Sequence, residues 1–359
     1  LNCNICFTYN RTDRKYYKSV NDTKKILDNV LNIAGEVELI NLTGGEPTLH
    51  PYLFDILNAC KNSKIGCITM NTNGIRIAND FRFAEQIKQS GVRLVFSLDT
   101  FDPSKSILIH GKDITKEKKK ALEILQSLNI PTTILCVCIK GINEEDVADI
   151  AHYYFKQDFV RSITIQNMTF TGMHGSRFQP REHMTIDEVE KLLASREGFS
   201  QDDFFPLGSY HPLCYSVAYY IVYKNRILPL TKLIDRKSLT KFTEDSYLLS
   251  AKADYSSYFM EGIDRLWAEG ENEGFLEGLR QFILELYPSE RNITTRQRRE
   301  VAEKMIKMIY IHPHMDEDNF DIDRVSRCGD IVPDESGQMV PACSYNLLYR
   351  QRDPRFWIG

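Results

Sequence analysis

Five short apolar runs, set apart by helix-length segments, constrain this chain more than any other feature of it. Residues 37–42 (VELINL), 67–71, 92–98 (VRLVFSL), 132–139 and 161–166 read as strands. Residues 19–34, 52–62, 79–90, 115–128 and a segment opened by Asn143 read as helices, with Ile26, Val30 and Ile33 marking the apolar face of the first. Gly35 suits a helix stop and Asn79 a helix cap. Glu144, Glu145 and Asp146 crowd a first turn, as the helix dipole favours. Each strand but the last is followed by a helix, which predicts a parallel α/β sheet. The first helix calls for a strand ahead of Leu1, and the count of six then predicts a partial (β/α)6 barrel. A doubly wound sheet is the alternative that periodicity does not separate from it.

After residue 166 the rhythm breaks, which divides the chain into 1–166 and 167–359. Residues 167–212 are rich in Gly, Pro, His and aromatics, with one helix around 185–195. Residues 215–223 (YSVAYYIVY) form a strand-like run, 261–286 and 294–311 read as two long helices, and 328–343 as a hairpin turning at Asp-Glu-Ser-Gly. A net charge of −4 argues against nucleic acid as a partner. No apolar run reaches the length of a membrane span, and no secretion signal is legible.

Nine cysteines, an odd number, argue against a disulfide framework and for metal ligation or buried thiols. Cys60, Cys67, Cys136 and Cys138 lie in apolar strand- or helix-like surroundings and read as core thiols. Cys3 and Cys6 form a C-x-x-C pair that suits half a zinc site, a redox pair or part of a cluster site. Three polar motifs then follow three successive strands: Thr43-Gly44-Gly45-Glu46-Pro47, Asn71-Thr72-Asn73-Gly74 and Ser97-Leu98-Asp99. The carboxyl edge of a parallel sheet is where α/β folds build sites. A structural turn explains any one of these motifs, and explains three in register much less well.

LNCNICF resembles the end of the C-x-x-x-C-x-x-C signature of the radical S-adenosylmethionine (SAM) superfamily, and TGGEPTLHP resembles its SAM-binding motif. The resemblance implies a TIM-like partial barrel and a 4Fe–4S cluster held by Cys3, Cys6 and a cysteine two residues upstream of Leu1. It implies that Glu46 and the Gly44–Gly45 backbone hold the amino group of SAM, that Pro47 belongs to the same cofactor site, and that Ile5 lies against the adenine. Thr72, Asn73, Ser97 and Asp99 would line the pocket, and Gly141 in VCIKGIN resembles a later adenine-side motif. The implied chemistry is reductive cleavage of SAM to a carbon radical, fed by an electron donor such as flavodoxin or ferredoxin, on an unknown organic substrate.

Cys214, Cys328 and Cys343 lie outside the barrel, the last two flanking the hairpin. They read as a second metal site, an auxiliary iron–sulfur cluster first and zinc second, with three unrelated buried thiols as the alternative. DDFFPLGSYHPLCYS, HPHMDEDNFDIDRVSRC and GQMVPACSYNLLYR resemble the archaeal tetraether lipid synthase family, to which pterin methyltransferase-like proteins are related. That family carries a further cysteine near the position of Ser209, so His211, His312 and His314 become candidates for a fourth ligand. Five residues separate Gly337 from Cys343, one more than the four in the auxiliary pattern of peptide-modifying members. The family reaction joins carbon ends of lipid chains, so 215–228, 261–286 and 294–311 would line an apolar tunnel or pack as an ordinary core. The KEKKK run at 116–120 reads as a solvated helix face. Expected localisation is cytoplasmic, at a membrane surface if the substrate is a lipid. Three functions stay open: carbon–carbon bond formation on a lipid, modification of a small molecule or peptide including methyl transfer, and a non-catalytic metal protein.

Overall fold

Strands β1 (Val37–Leu42), β2 (Ile65–Thr72), β3 (Arg93–Ser97), β4 (Thr132–Cys138) and β5 (Val160–Asn167) pair side by side in chain order, all parallel. The computed structural model describes residues 1–353 apart from 9–15, 63, 224–225, 245–255, 269, 271–272, 287, 289–291 and 335–336. Crossovers between parallel strands are right-handed. A strand order that never reverses therefore puts every crossover helix on the same face of the sheet. A doubly wound sheet needs a reversal point. The order here decides for the partial barrel.

The sheet continues with elements from the second half of the chain. These are β6 (Phe205–Pro206), β7 (Ser216–Tyr223), β8 (Arg226–Pro229) and β9 (Ile306–Ile311). β9 pairs parallel with β5, and β7 pairs antiparallel with β9. The expected helix over 294–311 is thus half right. Thr294 and Gln297 form a capping box that starts a helix over Thr295–Met305, and the chain then runs on directly as a strand. The switch follows composition: TRQRREVAEK is polar with strong helix formers, whereas IKMIYI is rich in residues that favour strands. The expected helix over 261–286 is also two pieces, Ser256–Ala268 and Glu273–Leu286, parted at Gly270 with φ of 66°. The third expected helix begins at Phe81 and is capped by Asp80, not Asn79, which ends a short helix of its own.

One core lies between the parallel strands and their helices, around Leu94, Phe96, Ile134, Ile163 and Phe155. A second packs Leu266, Leu279, Phe282 and Met305 against Phe205, Val217, Tyr219 and Tyr310. The buried residues of β7 and these helix residues therefore build an ordinary core, while Trp267, Ile283 and Leu284 are exposed. Cys60, Cys67, Cys136 and Cys138 are buried as expected. Among the described residues no helix is long and apolar enough to cross a membrane.

The KEKKK run is not uniformly solvated. Lys118 is 2% exposed, on the inner face of the helix Thr115–Ser127. Helical spacing turns Thr115, Lys118, Leu122 and Leu125 to one side, so a lysine lies in line with core residues.

Candidate active site and second metal centre

Every motif singled out in the first half sits at the carboxyl edge of the sheet. After β1, Glu46 caps a short turn of helix over Pro47–Leu49, with Gly44 at φ of 147° beside it and Gly45 exposed. Glu46 Oε1 accepts from the Thr48 amide (3.2 Å), the Thr48 hydroxyl (2.7 Å) and the Thr72 hydroxyl (2.9 Å), while Oε2 accepts from the Asn73 amide (2.8 Å). The carboxylate thus ties the loop after β1 to the loop after β2. Gly141, at φ of 73°, lies in the turn after β4 and donates its amide to Glu144 (2.6 Å).

Asp99 is buried after β3. Its Oδ1 accepts from the Val137 amide (2.6 Å), and its Oδ2 lies 3.4 Å from His110 Nε2. Burial holds His110 below the usual histidine range, against the pull of Asp99. Asn143 locks this junction, donating to the carbonyls of Asp99 and Val137 (both 2.9 Å) and accepting from the Ile139 amide (2.8 Å).

Lys118 is the residue that sequence reasoning missed. Its ammonium donates to the carbonyl of Asn73 (2.9 Å), the carbonyl of Ser97 (2.5 Å) and the hydroxyl of Ser97 (3.2 Å). Burial pulls its pKa below the ordinary lysine value, while Asp99, Cys3 and Glu46 pull it back up. A lysine buried this fully requires polar partners, and it has three. The only signal in the sequence was the register of position 118 with Thr115, Leu122 and Leu125.

Cys3 and Cys6 sit on a turn closed by the Cys6 amide donating to the Cys3 carbonyl (3.1 Å). The turn is held from both sides. The Asn4 amide donates to Ile109 (2.8 Å), and on the other side Gly175 donates to Cys6 (3.0 Å) and Met173 to Thr8 (3.1 Å). Ile5 packs beside Ile109, Met168 and Phe170. Burial, with Cys6 and Asp99 nearby, pushes the Cys3 thiol up to about 11, so without a metal it is a neutral thiol. Two half-buried thiols on an ordered turn are a donor set that suits iron ligation.

Gly172 makes this turn possible. It has φ of +83°, and a Cβ there would stand 2.2 Å from the Phe7 carbonyl carbon. Gly172→Ala is expected to displace the cysteine turn and to reduce iron incorporation several-fold. The far-UV circular dichroism of the barrel should stay as in the parent. Iron assay beside the spectrum checks this, and full iron loading in the variant would refute it.

The second half of the chain reaches the same edge because of β9. Ile311 is in register with Ile165, and the His312 amide donates to the Ile165 carbonyl (2.8 Å). β7 runs antiparallel, so its beginning is at this edge too, with Cys214 just ahead of it. The hairpin of β10 (Ile331–Pro333) and β11 (Met339–Pro341) brings Cys328 and Cys343 together. Cys214, Cys328, Cys343, His312, His314, Arg324 and Asp330 all line one cavity. His211 is not among its lining residues and faces Asp323 instead, 3.5 Å away. Ser209 is also outside the lining.

The donor chemistry of this cavity fits a metal cluster. Burial pushes Cys343 up to about 12 and raises Cys328, and it holds both His312 and His314 in the neutral, ligating form. The Arg324 guanidinium reaches Cys214 Sγ (3.5 Å) and supplies positive charge to an anionic group. A tetrahedral zinc ion gathers its donors within about 4 Å of one another. No three donor atoms of this cavity come within 4.8 Å of one another; among the described residues the one compact trio is His183, Asp316 and Asp318. The wider spread favours a multi-iron cluster over zinc. In that compact trio, Asp316 is already bonded to His183 (2.8 Å) and the Phe170 amide (2.9 Å), and Asp318 to Arg181 (2.7 Å).

Comparison with known proteins agrees with the first half of this picture. Residues 1–154 match the model of the Radical SAM superfamily. These residues are a radical SAM domain. A 4Fe–4S cluster and SAM are the cofactors of that superfamily. The chain is 23% identical to the 7,8-dihydro-6-hydroxymethylpterin dimethyltransferase of Methanocaldococcus jannaschii, over 98% of this chain and 75% of the relative. It is 26% identical to a probable GTP 3',8-cyclase of Pyrococcus abyssi, over 43% of this chain and 48% of that protein. Among solved structures, Streptococcus suis SuiB bound to the precursor peptide SuiA is similar with a TM-score of 0.44 and 22% identity, over 53% of this chain and 41% of SuiB.

Proposed function

We propose that this protein is a radical SAM enzyme that alkylates a neutral small organic substrate bearing hydrogen-bond donors, a pterin-type heterocycle being the leading class. The observation that carries this reading is a second cavity, beside the Cys3–Cys6 turn. Its lining is Ile5, Phe7, Val137, Gln166, Asn167, Met168, Thr169, Thr171, His314 and Asn346. None of these carries a formal charge apart from the titratable imidazole. A nucleoside triphosphate needs cations, which counts against a GTP substrate. The buried Oδ1 atoms of Asn167 and Asn346 have no hydrogen-bond partner among the described residues. Orphaned acceptors of this kind cost about 1–3 kcal/mol each unless a ligand donates to them. A flat heterocycle edged with N–H groups meets that need.

The similarity to the pterin dimethyltransferase supports the same reading, since it spans the second half as well as the barrel. Ile5, Phe7, Val137 and Met168 give the cavity an apolar side, which favours a second reading, carbon–carbon bond formation on a lipid chain.

When bound, the cluster and SAM supply a one-electron cleavage that yields a carbon radical. The chain's part is binding and exclusion. Glu46, Thr72, Asn73, Ser97 and Lys118 hold the loops around the cofactor pocket, and Ile5 and Phe7 keep water from the substrate side. Cys214, Cys328 and Cys343 would hold an auxiliary 4Fe–4S cluster. The full-length protein, prepared anaerobically, is expected to carry about eight irons per chain. With SAM and a reductant it should form 5′-deoxyadenosine or methylated product on 7,8-dihydro-6-hydroxymethylpterin, read by mass spectrometry. Turnover of an isoprenoid lipid and not of the pterin would replace the first reading by the second. About four irons would remove the auxiliary cluster, and no SAM cleavage would overturn the proposal.

A further inference from the structure

We infer that His314 is the fourth protein ligand of the second cluster, through Nδ1, and that the same side chain is the link between that cluster and the substrate cavity. This rests on the reading that the cavity of Cys214, Cys328 and Cys343 holds an iron–sulfur cluster. Three thiols leave one iron without a protein ligand. Four side chains offer a donor there: His312, His314, Asp330 and, from outside the lining, His211.

Three are committed elsewhere. His211 faces Asp323 and accepts from the Leu213 amide through Nδ1 (3.2 Å). The His312 ring stacks on Tyr215 with centroids 3.8 Å apart, and its Nε2 faces Asp330 at 3.6 Å. The Asp330 carboxylate accepts from the hydroxyls of Tyr210 (3.2 Å) and Tyr215 (2.7 Å).

His314 is different on both ring nitrogens. Nδ1 lies 3.6 Å from Cys343 Sγ, within the thiol set. Nε2 lies 3.2 Å from the side-chain amide nitrogen, Nε2, of Gln166, at the end of β5. A flip of the Gln166 amide would bring Oε1 to this nitrogen, place the proton on Nε2 and leave the Nδ1 lone pair for a metal. Fixing a tautomer through the far nitrogen is how histidine ligands are prepared. The fold gives this position to His314: β9 ends at Ile311, alongside Ile165, so the next residues of both strands meet.

The same ring forms part of the wall between the two cavities. It lines the thiol cavity and also the cavity beside the Cys3–Cys6 turn. Phe7, one residue after Cys6, stacks near it, with centroids 6.4 Å apart and planes at 22°. The second cluster would therefore touch the substrate cavity through one imidazole.

The test uses the full-length protein with Cys3→Ala and Cys6→Ala, so that only the second cluster remains. Pulsed electron paramagnetic resonance of the reduced cluster is expected to show coupling to one nitrogen. His314→Ala should abolish that coupling, and His314→Cys should abolish it while lowering the reduction potential, because a thiolate adds negative charge where an imidazole added none. Gln166→Leu should keep the coupling and shift the potential. A cluster present without nitrogen coupling, or with coupling unchanged in His314→Ala, overturns the inference and leaves the auxiliary cluster standing. Absence of iron in the Cys3, Cys6 variant overturns both.

Discussion

A Cys3→Ala, Cys6→Ala double variant is expected to cleave no SAM above background and to lose about four of its eight or so irons. The loss should be all-or-none in activity, since the cofactor carries the difficult chemistry and the chain only holds it. Three features of the structure make the effect specific to the site. Cys3 and Cys6 are only half-buried and belong to neither large apolar core, and Cys6 Sγ meets the polar Thr8 Oγ1 at 3.0 Å, so alanine removes little core packing. The turn itself is held by backbone bonds from Ile109, Met173 and Gly175 that alanine retains. The thiols of the second cavity come from other elements, after β6 and around the β10–β11 hairpin. The variant should therefore unfold at the denaturant midpoint of the parent stripped of iron. SAM cleavage at the parental rate would show that these two thiols are not cluster ligands.

The parallel barrel and its edge were legible because their signals are local. Each strand of the first half is a short apolar run, each helix carries period 3.6, and the polar motifs follow directly on their strands. Strand order was not legible, because it depends on which edges pair. The contribution of β9 was hidden for the same reason. Ile306–Ile311 follows a helix without a break, and only its pairing with β5 identifies it as sheet. That misreading concealed the link between the two halves, since β9 and β7 deliver His312, His314 and Cys214 to the edge where Cys3 and Cys6 sit. The three thiols of the second half could be grouped from sequence, whereas the choice of His314 over His211 and His312 required the cavity. Glu46 was legible as a motif residue, but its bonds to Thr48, Thr72 and Asn73 were not.

Lys118 gives the other large expected effect, and in stability as well as binding. Lys118→Met keeps most of the volume and removes the charge and all three hydrogen bonds. The carbonyls of Asn73 and Ser97 then lose this donor, and Asp99 and Glu46 lose the attraction of a buried cation. Removing one partner from a buried charged network costs about 3–5 kcal/mol. The free energy of chemical unfolding, measured without oxygen, should fall by that much, through a lower midpoint with the slope unchanged. SAM affinity should fall too, because Lys118 holds together the ends of β2 and β3, and Glu46 ties β1 to the same point. Lys118→Arg should not rescue either property. The ammonium lies 4.9 Å from the centre of the Phe96 ring, at 2% residue exposure, and a planar guanidinium of greater reach has no room to turn there. Parental stability and affinity in Lys118→Met would mean that the loops are held by their strands alone. Lost affinity at parental stability would instead assign the ammonium directly to the bound cofactor.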